Sequence, residues 1–201
     1  MNYATWIFLG VFLTFAAAWL GLVFFPHEQL SGLRAQKDAD SGQVFPPPYS
    51  GEALYGRSVY VREGCWYCHT QQVRGGDYNA DLARGWGARR SDPRDYVHDA
   101  PHVLGSMRTG PDLANIGARQ PSDKWHYLHL YDPQLTSKGS VMPPYRFLFE
   151  LRKIVGQPSP EALELEGAAS PAEGYEVVPS REARALVAYL KSLDRSYEFK
   201  E

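Results

Sequence analysis

The chain begins with a long apolar stretch, and all of its charged residues lie after Pro26. The run from Tyr3 to Phe25 predicts a helix of about 34 Å at ~1.5 Å per residue, long enough to cross a hydrocarbon core of about 30 Å. Pro26 is predicted to end this helix, because proline removes a backbone hydrogen-bond donor. A cleaved signal peptide is the alternative, but it would have a basic start and a shorter apolar core. We therefore interpret residues 1–26 as a retained transmembrane anchor.

The stretch after the anchor, residues 27–50, is polar and contains Ser41-Gly42 and three consecutive prolines from Pro46 to Pro48. This composition is typical of a tether that is stiffened near its end. The remaining residues, 51–201, are long enough for one domain. The sequence thus predicts an anchor, a tether and a single domain.

Three helices are predicted in the domain, each from a capping residue followed by apolar positions at helical spacing. The first begins at Ser50 or Gly51 and runs towards the two cysteines. The second is capped by Ser122 and ends before Pro133. The third is capped by Ser180, and its apolar face consists of Ala183, Leu186, Val187, Leu190 and Leu193.

Two long stretches of the domain lack a sustained hydrophobic period. Residues 75–105 predict an excursion with short helical turns, and residues 157–179 predict a surface loop. The predicted fold class is therefore all-α, with one N-terminal transmembrane helix and a domain that carries long loop insertions. The net charge of −2 gives no indication of nucleic-acid binding.

The clearest chemical signal is the pentapeptide Cys65-Trp66-Tyr67-Cys68-His69, which contains both cysteines of the chain. Two thiols at this spacing, followed directly by an imidazole, are the signature of covalent attachment of a c-type haem. The adjacent imidazole then becomes an axial ligand of the iron. We therefore predict one haem c, attached through Cys65 and Cys68, with His69 on the iron.

Three other interpretations of these cysteines compete with the haem. A thioredoxin-like thiol pair needs a βαβ pattern, which the sequence does not show. A zinc site would use His98 and His102, but they lie much farther along the chain than the histidines of a zinc finger, and Pro101 breaks any helix between them. The third interpretation is a pair of purely structural cysteines.

The segment Met142-Pro143-Pro144-Tyr145 supplies the candidate for the second axial ligand. A thioether is a soft, neutral ligand, and a His/Met pair raises the reduction potential of the iron. The two prolines after Met142 restrict the backbone that holds this ligand. Two alternatives stay open: Met107 as the thioether ligand, and a bis-histidine haem through His102, His126 or His129.

The order of these motifs resembles that of a membrane-tethered class I cytochrome c. In that class a T-G-P-x-L segment lines the histidine side of the haem, and Arg108 to Leu113 contains such a segment. The resemblance implies that the Pro111 carbonyl accepts a hydrogen bond from the ring of His69. Arg108 is expected either to neutralise a haem propionate or to be an exposed arginine without that role.

In class I cytochromes c the first and last helices of the domain also cross at a small residue beside an aromatic one. Gly56 and Tyr60 fit this arrangement on the first helix, and the face formed by Leu186, Tyr189 and Leu190 fits it on the last. An ordinary amphipathic terminal helix is the alternative.

Several stretches resemble the mono-haem subunit II of cbb3-type haem–copper oxidases (CcoO or FixO). They are Tyr60 to Gln71, Arg108 to Leu113, Trp125-His126 and Met142 to Tyr145. The resemblance implies a non-catalytic subunit that takes electrons from other cytochrome c subunits and passes them to the catalytic haem–copper subunit. It further implies a single-pass protein of the bacterial inner membrane, with a cytoplasmic N-terminus and a periplasmic haem domain.

The chain departs from that family in three places, where contacts with neighbouring subunits are expected. Gly75 stands where the family usually has a proline, and residues 76–107 and 157–179 match poorly. Two other functions stay open: the haem c subunit of another membrane oxidoreductase, such as a nitric oxide reductase, and a tethered haem sensor with an open sixth site. The sequence assigns no definite role to His98, His102, His126 and His129.

Overall fold

The N-terminal helix is the longest element of the protein. In the computed structural model, which describes residues 3–77 and 80–199, it consists of α1 (Ala4–Trp19), a π-helical turn (Leu20–Phe24) and α2 (Phe25–Leu30). The most apolar 18 residues of this helix have a mean hydropathy of 2.3, and none of them is buried against the rest of the chain. By length and composition, the helix is able to cross a membrane.

Pro26 does not end this helix, and the prediction that it would was wrong. The π-helical turn ends at Phe24, two residues before the proline, and the amide of Phe25 donates to the carbonyl of Leu20, five residues back. This turn shifts the hydrogen-bond pattern, so Pro26 falls in the first turn of α2, where a missing amide is tolerated. The helix therefore continues to Leu30.

Residues 27–50 also contain more regular structure than a tether. After α2, the strands β1 (Gln36–Lys37) and β2 (Val44–Phe45) form a short antiparallel hairpin. The turn is closed by the side chain of Asp38, which accepts a hydrogen bond from the Ser41 hydroxyl at 2.7 Å. Gly42 adopts the left-handed conformation that this turn requires, with φ of +70°.

The core of the domain is built on the crossing of α3 (Gly51–Arg62) and α6 (Arg181–Ser192). A Cβ atom on Gly56 would lie 1.7 Å from the carbonyl oxygen of Ala185, so the two backbones approach more closely than any other residue would allow. The rings of Tyr60 and Tyr189 meet edge to face beside this contact, with centroids 5.3 Å apart. The predicted crossing at Gly56 is therefore present.

The predicted caps are also present. The Ser50 hydroxyl accepts from the amide of Ala53 at 3.1 Å, and the Ser180 hydroxyl accepts from the amide of Ala183 at 3.3 Å. Ser122 caps the third helix of the core, α5 (Asp123–Tyr131), which ends before Pro133 as expected. A short helix, α4 (Ile116–Arg119), precedes it and packs on α6.

A second pair of antiparallel strands shows that the domain is not purely helical. Strand β3 (Phe149–Lys153) pairs antiparallel with β4 (Tyr175–Pro179), so the end of the predicted surface loop 157–179 is a strand. Val177 and Val178 are buried, which explains why this stretch packs on the core. Strand β4 is only five residues long, and its partner β3 lies more than twenty residues away in the sequence. A run this short contains too few apolar and polar positions for its periodicity to be detected.

Short 3₁₀ turns complete the described fold. Pro93–Tyr96 is the helical turn within the excursion 75–105, where short turns were predicted, and Asp92 caps it. Cys65–Tyr67 begins the cysteine motif. The others are Pro133–Leu135, Arg146–Leu148 and Gly167–Ala169.

Candidate haem site

The cysteine motif lies on the wall of a cavity of about 680 Å³. Helix α3 ends at Arg62, and Gly64, with φ of +72°, then turns the chain into the 3₁₀ turn Cys65–Tyr67. This turn places Cys65, Cys68 and His69 together on the cavity lining. Cys65 is half-buried and Cys68 is exposed.

Burial raises the pKa of the Cys65 thiol to about 12. A thiol that stays protonated at neutral pH is a poor redox nucleophile, which disfavours the thioredoxin-like interpretation of the motif. Within residues 3–77 and 80–199, no three His, Cys, Asp or Glu side chains are grouped so that they could hold a metal ion. His98 and His102 lie outside the cavity, where His98 Nε2 is 3.1 Å from the Pro46 carbonyl oxygen.

The His69 ring has a fixed orientation and a defined tautomer. Its Nδ1 lies 2.7 Å from the carbonyl oxygen of Pro111, and because a carbonyl only accepts, Nδ1 carries the proton. Burial lowers the pKa of His69, so the ring is neutral and Nε2 keeps a free lone pair. Gly110 packs flat against the ring, since a Cβ there would lie 2.3 Å from Cε1.

Met142 also lines the cavity, together with Pro143 and Tyr145. Its side chain is half-buried against the core, and its amide donates to the Ser140 hydroxyl at 3.2 Å. The amide of Tyr145 is anchored on the carbonyl of Leu130 at 2.8 Å, which ties the loop to α5. The competing thioether, Met107, is 59 % exposed and does not reach the cavity lining.

Two of the three histidines considered for a bis-histidine haem line the same cavity. The Nε2 atom of His126 lies 2.8 Å from the Gln120 carbonyl oxygen, and Nδ1 of His129 lies 2.5 Å from the Thr136 hydroxyl. Burial lowers the pKa of both rings, that of His129 to about 4. The two distances show that the rings of His126 and His129 each have one nitrogen in a hydrogen bond. The third, His102, is exposed beside Tyr96, away from the cavity.

Arg108 was expected either to neutralise a haem propionate or to be an exposed arginine. It is absent from the cavity lining, and its guanidinium is bonded to both carboxylate oxygens of Asp81 at 2.6 and 2.8 Å. Nor is it an exposed arginine, because its side chain is only 16 % exposed. The expectation of an exposed arginine is therefore wrong, and the guanidinium is bonded to Asp81 outside the cavity lining.

Arg119, like Lys138, is a charged cavity residue that sequence reasoning missed. It ends α4, lines the cavity, and donates through Nη2 to the carbonyl of Asp112. Its Nε is buried and has no hydrogen-bond partner among the described residues, and burial lowers the pKa of the guanidinium. Gly117 lets α4 pack closely against the carbonyl of Lys191. This contact between distant parts of the chain positions Arg119.

The cavity lining fits an iron porphyrin. One wall of the cavity is apolar and suits the macrocycle; its residues are Leu113, Ile116, Leu130, Leu186 and Leu190. The buried, unpaired Nε of Arg119 is a donor of the kind that a propionate carboxylate would satisfy. The two thiols, the His69 imidazole and the Met142 thioether complete a donor set of the c type.

The chain was also compared with known protein families and curated proteins. The family model described as "Cytochrome C oxidase, mono-heme subunit/FixO" matches residues 37–161, which is more than half of the chain. The matched range includes the cysteine motif, Pro111, Arg119 and Met142. No curated protein matches the chain.

Proposed function

Since the chain belongs to the FixO family of mono-haem cytochrome c oxidase subunits, we propose that it relays electrons to the catalytic haem–copper subunit of a cbb3-type oxidase. Membership of the family implies one haem and a place in an oxidase complex. The observation that carries the proposal is the convergence of Cys65, Cys68, His69 and Met142 on one cavity. Between them, these four side chains supply two attachment points and two axial ligands.

In the proposed site each residue has a separate task. Cys65 and Cys68 form thioethers to the haem, which supplies the one-electron chemistry when it is bound. His69 offers Nε2 to the iron, and its Nδ1–H donates to Pro111 at 2.7 Å, which fixes the ring and increases its basicity. The Met142 thioether would be the second protein ligand of the iron and would raise its reduction potential.

Arg119 takes the propionate role in this proposal in place of Arg108. Its buried Nε is unpaired and it lines the cavity, whereas the guanidinium of Arg108 is bonded elsewhere. Because His69 and Met142 would both ligate the iron, oxygen would find no free ligand position, and the subunit itself would be non-catalytic.

The N-terminal helix supports the proposed location. One apolar helix, Ala4–Leu30, is suited by length and composition to a single-pass anchor. We place the N-terminus in the cytoplasm, the helix in the bacterial inner membrane and residues 51–201 in the periplasm, where c-type haem is attached in related proteins. The anchor in this arrangement extends four residues beyond Pro26, to Leu30.

Purification of the chain from native membranes tests the proposal. We expect it to migrate with a subunit that contains haem b and copper, and with at least one further cytochrome c subunit. A catalytic partner that contains non-haem iron and no copper would instead identify a nitric oxide reductase-like complex. If the isolated chain migrates alone and binds carbon monoxide promptly when reduced, it is a haem sensor and the relay is wrong.

A further inference from the structure

The Arg108 guanidinium lies between the two chain segments that carry His69 and Pro111. It is a hub rather than a single ion pair, because Arg108 belongs to the Pro111 segment while its nitrogens bond the His69 segment and a third residue outside both. They donate at 2.6–2.9 Å to the two carboxylate oxygens of Asp81, the hydroxyl of Thr70 and the carbonyl of Gln72. A planar guanidinium makes such a set of bonds in a fixed geometry, which an ammonium group cannot reproduce.

The carboxylate of Asp112 joins the same two segments from the other side. One of its oxygens accepts from the Thr70 hydroxyl at 2.5 Å and from the Gln72 amide at 2.8 Å, and the other accepts from the Ala114 amide at 2.8 Å. Asp112 is fully buried, and its carboxylate lies 3.6 Å from the guanidinium of Arg108. We call Arg108, Asp81 and Asp112 the arginine clamp.

His69 is bracketed by the bonds between these segments. The Gly110 amide donates to the Cys68 carbonyl at 3.0 Å, and the Leu113 amide donates to the Thr70 carbonyl at 2.7 Å. The bond from His69 Nδ1 to the Pro111 carbonyl lies between them along the chain. Its length therefore depends on how firmly the two segments are held together.

We propose that the arginine clamp positions His69 by holding the Pro111 carbonyl against its Nδ1–H. The inference rests on the proposed function, in which His69 ligates a haem iron. A strong hydrogen bond at Nδ1 makes the imidazole a better donor and favours the oxidised iron. The clamp thus lowers the reduction potential through the histidine, although none of its three side chains lines the haem cavity.

The variant Arg108→Lys, in the full-length holoprotein in detergent, separates positioning from charge. It keeps the positive charge but loses the fork of bonds, so an electrostatic effect alone predicts an unchanged potential. We expect the His69 Nδ1 proton, observed by NMR in the reduced protein, to exchange about tenfold faster or more, the change that ~1.4 kcal/mol of lost protection produces. The potential should rise at the same time.

Arg89→Lys is the matched control. Arg89 also makes a two-bond pair with a buried carboxylate, that of Asp95, at 2.7 and 2.9 Å, and its side-chain hydrogen bonds to described residues do not reach either segment beside His69. It should change neither the Nδ1 proton exchange nor the potential. Unchanged exchange in a folded Arg108→Lys protein, or an equal effect of Arg89→Lys, would overturn the proposal.

A measurement on the unaltered protein decides the matter if Arg108→Lys does not fold. The His69 Nδ1 proton and the amide protons of Gly110 and Leu113 should be protected to a similar degree, within about tenfold, because the same opening would expose all three. An Nδ1 proton that exchanges more than about a hundredfold faster than both amides contradicts the inference. A protein without covalent haem would contradict the proposed function instead, so the two failures are distinguishable.

Discussion

At the scale of single residues, the site depends on which side chains reach the cavity. Met142 lines it and Met107 does not, and Arg119 lines it while Arg108 does not. These distinctions matter because each pair has the same chemistry. In the proposed site, the position of a side chain rather than its chemistry therefore decides which methionine binds the iron and which arginine lies beside the haem. Paired substitutions test these assignments directly.

Met142→Ala should remove the sixth iron ligand. We expect a lower reduction potential and prompt binding of carbon monoxide to the reduced protein, because the thioether that favours the reduced iron is gone and a position has opened. Redox titration and absorption spectra under carbon monoxide measure both effects. Met107→Ala is the control and should change neither, and the reverse outcome would reassign the axial ligand.

Arg119→Gln should lower the reduction potential by an amount on the order of 1 kcal/mol. Loss of a half-buried positive charge beside the cavity leaves the oxidised, more positive iron relatively more stable. Redox titration measures the shift, and Arg184→Gln is the control because Arg184 pairs at the surface with Glu161. Equal reduction potentials in the wild-type and Arg119→Gln proteins would show that Arg119 does not act on the haem.

At the scale of elements, the contact between α3 and α6 holds the wall of the cavity. The two helices meet at Gly56, and both supply lining residues, Tyr60 from α3 and Leu186 and Leu190 from α6. A change in their separation would therefore be felt at the site as well as in the stability of the core.

Gly56→Ala should destabilise the domain by about 3 kcal/mol, because the added methyl group has no space against the Ala185 carbonyl and the helices must separate. Gly51→Ala is a suitable control, since a Cβ at Gly51 meets nothing within 4 Å. Denaturant unfolding of both variants, followed by absorption of the domain, measures the difference. A loss of less than about 1 kcal/mol in Gly56→Ala would show that the helices can move apart at little cost.

The elements that the sequence predicts well are those encoded by neighbouring residues. The caps at Ser50, Ser122 and Ser180 are local signals, and the observed helices begin where these residues predict. Strand β4 was missed because its partner β3 is distant in the sequence. The helix end at Pro26 was misjudged because a π-helical turn, which has no sequence signature, absorbs the proline.

The two arginines illustrate the same limit within the site. Arg108 stands beside the T-G-P motif, so sequence proximity suggested a haem contact, yet Asp81 from a distant loop takes its guanidinium. Arg119 has no motif beside it and reaches the cavity only because α4 packs on α6. Local motifs thus identify the groups that attach to a haem, while tertiary contacts select the residues around them.

At the scale of the whole molecule, an apolar N-terminal helix and a cavity-bearing domain are joined by a short segment that carries the β1–β2 hairpin. The helix contributes no residue to the cavity lining. Anchoring and redox chemistry are therefore separable in the proposed arrangement.

A chain in which a cleaved signal peptide replaces residues 1–30 should be released from the membrane as a soluble red protein that no longer assembles with the oxidase. Fractionation of periplasm and membrane, followed by purification of the complex, measures both effects. The untagged full-length chain is the reference. If the shortened protein still purifies with the complex, the domain surface rather than the helix provides the main attachment.

The central claim, that Cys65 and Cys68 hold a haem covalently, is tested most directly by the spectrum in alkaline pyridine of the denatured, matured chain. The account predicts a c-type absorption band with one haem per chain, which persists after acid–acetone extraction. In Cys65→Ser/Cys68→Ser the extracted protein should be colourless. A wild-type chain that gives no c-type band after maturation would contradict the account at its origin.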